Sequence, residues 1–126
     1  MNAFKKTLIS FALVAVSSTA FAAATRSYEE VKAAIDNTIA TVEEAKASVD
    51  KGAASQDVVK LIIKARQSQK DIVNNALDLK RQQAGNVLNE AREKLESNNM
   101  SAAKESLADA VNRYKDIKQL YAASHD

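Results

Sequence analysis

The side chains with the greatest chemical capacity in this sequence are carboxylates. Glu90, Glu93 and Glu96 recur at i, i+3 and i+6, which aligns them along one face of a helix, and Glu43 and Glu44 form a second acidic pair. Such a stripe suits weak capture of a hard or borderline divalent cation whose remaining positions are filled by water. Arg92 and Lys94 are interleaved with the acids and compete for the same oxygens. Without imidazole neighbours the same stripe is also an ordinary solvated face. A buried di-iron centre needs Glu-x-x-His motifs, and the only histidine here is His125.

Other chemistries lack their residues. Nucleophilic catalysis needs an activated nucleophile beside a base; there is no cysteine, and His125 lies one residue from the end of the sequence. No glycine-rich phosphate loop and no CxxCH haem-attachment motif occurs, so the expectation is that the protein is not an enzyme. Met100 stands alone as a soft ligand and reads as a gap filler at a bundle end. Tyr114 and Tyr121, one heptad apart, read as core residues with hydroxyls reaching a bundle end, or as a stacking platform for a ligand. Lys60, Lys64, Arg66 and Lys70 form a basic stretch suited to an acidic partner, to anionic lipid or to solvent beside acidic neighbours.

The elements that must position these groups are helices. The chain has two glycines and no proline, and alanine, lysine, glutamate, glutamine and leucine fill the gaps. Val31, Ile35, Thr38, Val42, Ala45 and Val49 alternate spacings of four and three, which predicts a helix over about 27–51 with Ser27 as cap and Glu29 and Glu30 in its first turn. Gly52 suits the left-handed residue just past its end. Val58, Ile62, Ala65, Gln69 and Ile72 predict a second helix capped by Ser55. Asn74-Asn75 marks a break, the alternative being one continuous central helix in a three-helix dimer. Leu77, Arg81, Ala84, Leu88, Ala91 and Leu95 predict the third helix, ending at Ser97-Asn98-Asn99, with Gly85 permitting a close approach or a slight bend. Ala103, Leu107, Ala110, Tyr114, Ile117 and Tyr121 predict the fourth, capped by Ser101. Lys32–Asp36, Lys46–Asp50, Glu90–Lys94 and Asp109–Arg113 are each four apart and should stabilise their helices by about 0.2–0.5 kcal/mol per pair.

Residues 1–22 carry the marks of an export signal: Lys5 and Lys6, an apolar run from Leu8 to Val16, and the small-x-small site Ala20-Phe21-Ala22. The expected mature domain is 23–126, in a periplasm where one exists. Loss of Lys5 and Lys6 leaves sixteen basic against sixteen acidic residues, which argues against nucleic acid as a partner. No later stretch approaches the roughly 20 apolar residues of a membrane helix.

The chain also looks duplicated. Glu44-Ala45-Lys46 aligns with Glu90-Ala91-Arg92, and Ala65 through Ile72 aligns with Ala110 through Ile117 after a one-residue gap. Two similar helical hairpins with short loops predict an all-α, up-down-up-down antiparallel four-helix bundle. The units 43–72 and 89–117 resemble the repeat of the small metal-binding protein family, exported bacterial four-helix proteins whose His-Ala pairs bind divalent metals such as copper and nickel. The matching pairs here are Glu44-Ala45, Lys64-Ala65, Glu90-Ala91 and Asp109-Ala110, all without histidine. The resemblance implies a weak divalent-metal protein with Glu44, Glu90 and Glu93 standing in as ligands. The organisation also resembles the cytochrome b562 bundle, but 28–35 contains no methionine, and Lys118 and Gln119 occupy the place of its haem-binding histidine. The competing expectation is a structural, interaction or chaperone-like envelope stress protein. Partners would then be metal ions or envelope proteins, and the state a monomer or a dimer.

Overall fold

The structure is a computed structural model that describes residues 27–124; the signal-like segment and His125 lie outside them. Four helices follow one another: α1 (Tyr28–Asp50), α2 (Ser55–Gln69), α3 (Asp78–Glu96) and α4 (Met100–Ala123), with a 3-10 turn over Asn75–Leu77 leading into α3. Each packs against its two neighbours in a closed ring, α1 on α2 and α4, α3 on α2 and α4, so α1 and α3 stand at diagonal corners. This is the antiparallel bundle the spacing predicts. Val31, Ile35, Val42, Ala45, Val58, Ile62, Ala65, Leu88, Ala91, Leu95, Leu107, Ala110 and Ile117 fill its centre.

The helix ends explain why the ring closes. Ser27 and Glu30 form a reciprocal capping box at the start of α1. Past its end Gly52 takes φ +79°, while Gly52 N–H bonds the Val49 carbonyl at 3.0 Å and Ala53 N–H bonds the Ser48 carbonyl at 2.9 Å. Past α3 the arrangement is repeated: Asn98 takes φ 60°, Asn98 N–H bonds Leu95 at 3.0 Å and Asn99 N–H bonds Lys94 at 2.8 Å. Both hairpin turns are therefore Schellman closures, with Gly52 and Asn98 at equivalent places in the duplicated plan.

Two expected caps are corrected. Ser55 is the first residue of α2 and Ala54 holds the cap position without a side-chain bond. Ser101 lies inside α4, whose cap is Asn99, its side chain accepting from Ala102 N–H at 3.2 Å. In both hairpins the closure ends so close to the next helix that the chain turns helical before the serine is reached. Asn99→Ala should accordingly cost about 1 kcal/mol of unfolding free energy and Ser101→Ala less than about 0.5 kcal/mol, measured by urea denaturation. Equal losses at the two positions would place the cap at the serine.

The break between α2 and α3 falls at Asn74, whose carboxamide accepts from Ala76 N–H at 3.0 Å and Leu77 N–H at 3.2 Å. A continuous central helix is thereby excluded. Ile72, expected in the last turn of α2, lies in this connection and is still buried, so it anchors the loop together with Leu77. At the same end of the bundle the rings of Tyr28 and Tyr121 stack with centroids 5.0 Å apart, and Tyr121 Oη donates to the Tyr28 carbonyl at 3.3 Å. First and last helices are pinned together there.

Candidate functional site

The expected carboxylate ligands do not converge. Glu44 lies on α1 beside Lys64 and Ser68 of α2. Glu90 and Glu93 lie on the solvent face of α3, and Glu96 is paired with Arg92 at 3.4 Å. Because α1 and α3 are diagonal, the duplication that aligns Glu44 with Glu90 also puts the bundle's width between them. Among the described residues no group of three His, Cys, Asp or Glu side chains is placed to hold a metal ion. The basic stretch also divides: Lys60 faces a groove beside Leu95 and Glu96, Lys64 faces Glu44, and Arg66 is partly buried on another side. Met100 packs against the core at the first turn of α4, as a gap filler does.

Tyr114 is a core residue, and its hydroxyl reveals a polar centre that the apolar pattern concealed. It crosses the bundle to donate a hydrogen bond to Gln69 Oε1, the equivalent residue of the other hairpin. The Gln69 amide lies over Gly85 of α3, where a Cβ would come within 2.7 Å of Nε2. Burial pushes the Tyr114 hydroxyl well above the ordinary tyrosine pKa, and the Arg66 and Arg81 guanidiniums pull it partly back. Arg81 is held by Asp78 one turn earlier, while the Nε atoms of both arginines are buried without a hydrogen-bond partner. Gln69 is the last residue of α2, so this polar group sits where the α2–α3 seam opens toward the connecting loop.

Two shallow grooves lie end to end along the α1–α4 seam, divided where the Glu43–Lys115 ion pair crosses it. One stretch, about 390 Å³, is lined by Glu43, Lys46, Ala47 and Asp50 of α1 and by Ala108, Val111, Asn112 and Lys115 of α4. The next, about 590 Å³, shares Glu43 and Lys115 and continues past Ile39, Lys118 and Ala122. Alanines lie at the bottom of both grooves, with buried Val111 in the first and buried Ile39 in the second; the first lining is more polar than apolar and the second more apolar than polar.

Acids of α1 and lysines of α4 bridge the seam. Asp36, Glu43 and Asp50 recur every seven residues on α1, so they share one edge, and each meets a lysine of α4: Lys118 at 2.9 Å, Lys115 at 3.4 Å and Lys104 at 2.7 Å. This cross-helix pairing replaces the expected Lys46–Asp50 contact, whereas Lys32–Asp36 at 3.8 Å and Asp109–Arg113 at 3.2 Å form as spaced. The sequence signal was the heptad repeat of acids on α1, which intrahelical pairing rules ignore. Compared with protein-family models, curated proteins and solved structures, the chain matches none of them.

Proposed function

We propose that the protein is a small exported, non-catalytic binding module whose α1–α4 cleft holds a polypeptide segment of an envelope protein. The observation that carries this reading is the pair of grooves along the α1–α4 seam, where small apolar side chains lie among acids of α1 and lysines of α4 that pair across it. Apolar side chains of the segment would occupy the floor at Ala47, Ala108 and Val111. Its basic groups would face Asp36, Glu43 and Asp50, and its acidic groups Lys104, Lys115 and Lys118. Exposed ion pairs contribute only about 0–1 kcal/mol each, so exchanging the internal pairs for intermolecular ones costs little. Export rests on the signal-like residues 1–22.

Selection of displayed peptides on the purified chain tests the cleft. Ala108 is half-buried on its wall, and Ala108→Leu fills it while changing stability by less than about 1 kcal/mol. Peptides that carry both charges around an apolar anchor should bind the parent and lose binding to Ala108→Leu. Enriched peptides that bind both equally would place the site elsewhere.

A second reading keeps the divalent cation. Glu90 and Glu93 are both exposed, nearly one turn apart on α3. Calorimetric titration with copper, nickel, zinc and manganese distinguishes it: a stoichiometric, pH-dependent heat abolished by Glu90→Gln with Glu93→Gln supports a cation site, and no heat leaves the cleft as the function.

A further inference from the structure

The solvent face of α3 differs in charge from the rest of the molecule. Residues 82–89 carry no charge, the longest such run among the described residues. At 100° per residue, Leu79, Gln82, Gln83, Asn86, Glu90 and Glu93 fall within about 100° of arc, opposite the stripe that Ala84, Leu88, Ala91 and Leu95 bury. All six are exposed, and Leu79, at 66%, is the most exposed large apolar side chain among the described residues. The face thus reads, from the start of the helix, apolar, amide, amide, amide, acid, acid. The uncharged part of the face, from Leu79 through Gln82 and Gln83 to Asn86, has the composition of an interface centre, and carboxamides both donate and accept.

We propose that this face pairs with itself, joining two copies of the chain through an antiparallel α3–α3 contact on a two-fold axis near Gln83 and Asn86. The charges choose both the occupant and the direction. A two-fold pairing sets the amides of one copy against the amides of the other, so each donor meets an acceptor. Run antiparallel, it lays Glu90 of one copy beside the turn of the second copy that holds Leu79 and Lys80. Run parallel, it would stack Glu90 on Glu90 and Glu93 on Glu93, which like-charge repulsion disfavours. Lys80 flanks the face on the α4 side; it is exposed, and its one ion pair among the described residues is with Asp116 at 3.4 Å.

One helix face per copy is a small contact by the standard of specific interfaces, so the pairing is weak and reversible. The inference does not depend on the cleft reading. α1 lies diagonal to α3, so both α1–α4 clefts stay open on the outside of the dimer and make it bivalent.

Sedimentation equilibrium of the exported chain, from about 10 µM to about 1 mM, tests the pairing together with the Asn86→Lys variant. That residue is exposed, so the variant should keep its helical circular dichroism and melting temperature, and it should sediment as a monomer throughout. Single-cysteine variants give the geometry: Gln83→Cys and Asn86→Cys should be joined by a short bismaleimide, and Ser97→Cys, at the far end of the same face, should not. A parent chain that stays monomeric at every concentration overturns the proposal. So does a dimer that survives Asn86→Lys, and so does equal crosslinking from Ser97→Cys, which requires a parallel or different contact.

Discussion

Tyr114→Phe is expected to lower the unfolding free energy by about 1–3 kcal/mol, although it removes one oxygen atom and leaves the ring in place. The loss arises at Gln69, whose buried Oε1 is left without its donor in a centre where Tyr114 is fully enclosed. Gln69→Leu alone should also destabilise, because it strands the phenol. The two together should cost less than the sum of the separate losses, since an apolar pair of similar volume needs no partner. Urea denaturation of the four proteins measures the coupling. Additive losses would mean that the two groups do not interact.

The same hydroxyl predicts an alkaline signature. Burial raises its pKa in the folded state, so above about pH 10, the ordinary tyrosine value, the unfolded chain gives up this proton while the folded chain keeps it. The folded state then holds more protons and stability falls as pH rises. Tyr114→Phe has no proton to hold. The stability advantage of the parent over Tyr114→Phe should therefore shrink above pH 10 and stay constant between pH 7 and 9. An advantage that grows with pH would contradict the burial of a neutral phenol.

Gly85→Ala is the second large effect, and its sign should depend on Gln69. In an exposed helix interior this change stabilises by up to about 1 kcal/mol. Here the new methyl would lie 2.7 Å from Gln69 Nε2, so the amide must shift, and because its Oε1 is held by Tyr114 the shift strains that bond. The expected net result is a loss of about 1–2 kcal/mol in the parent. In a Gln69→Ala background the obstruction is gone, and Gly85→Ala should stabilise. Thermal melts of the pair decide it; the same sign in both backgrounds would show that the glycine is there for a reason other than the amide above it.

The four helices and their order were legible because the stripe of Val31, Ile35, Val42 and Ala45, and its counterparts in the other three runs, repeats with the bundle's own period. The turn at Gly52 was legible because a left-handed residue past a helix favours glycine. Its equal at Asn98 was read only as a polar stop, since asparagine takes that conformation without announcing it. Partners that lie on different helices were not legible at all. Asp50 reads as the mate of Lys46 until the fold brings Lys104 to within 2.7 Å. Gln69 and Tyr114 read as two unrelated interruptions until the duplication sets them facing each other across the axis. Glu44 and Glu90 fail as a joint site for the same reason, since residues equivalent in the two hairpins fall at opposite corners.

The cleft reading is tested most directly inside the cells that make the protein, by placing a photoactivatable side chain at Asn112, on the cleft wall, or at Lys64, on the α1–α2 side. Illumination should yield a discrete protein adduct from position 112 that disappears when Ala108→Leu is added, with none from position 64. No adduct from position 112, or adducts of equal yield from both positions that ignore Ala108→Leu, would contradict a binding role for the α1–α4 cleft.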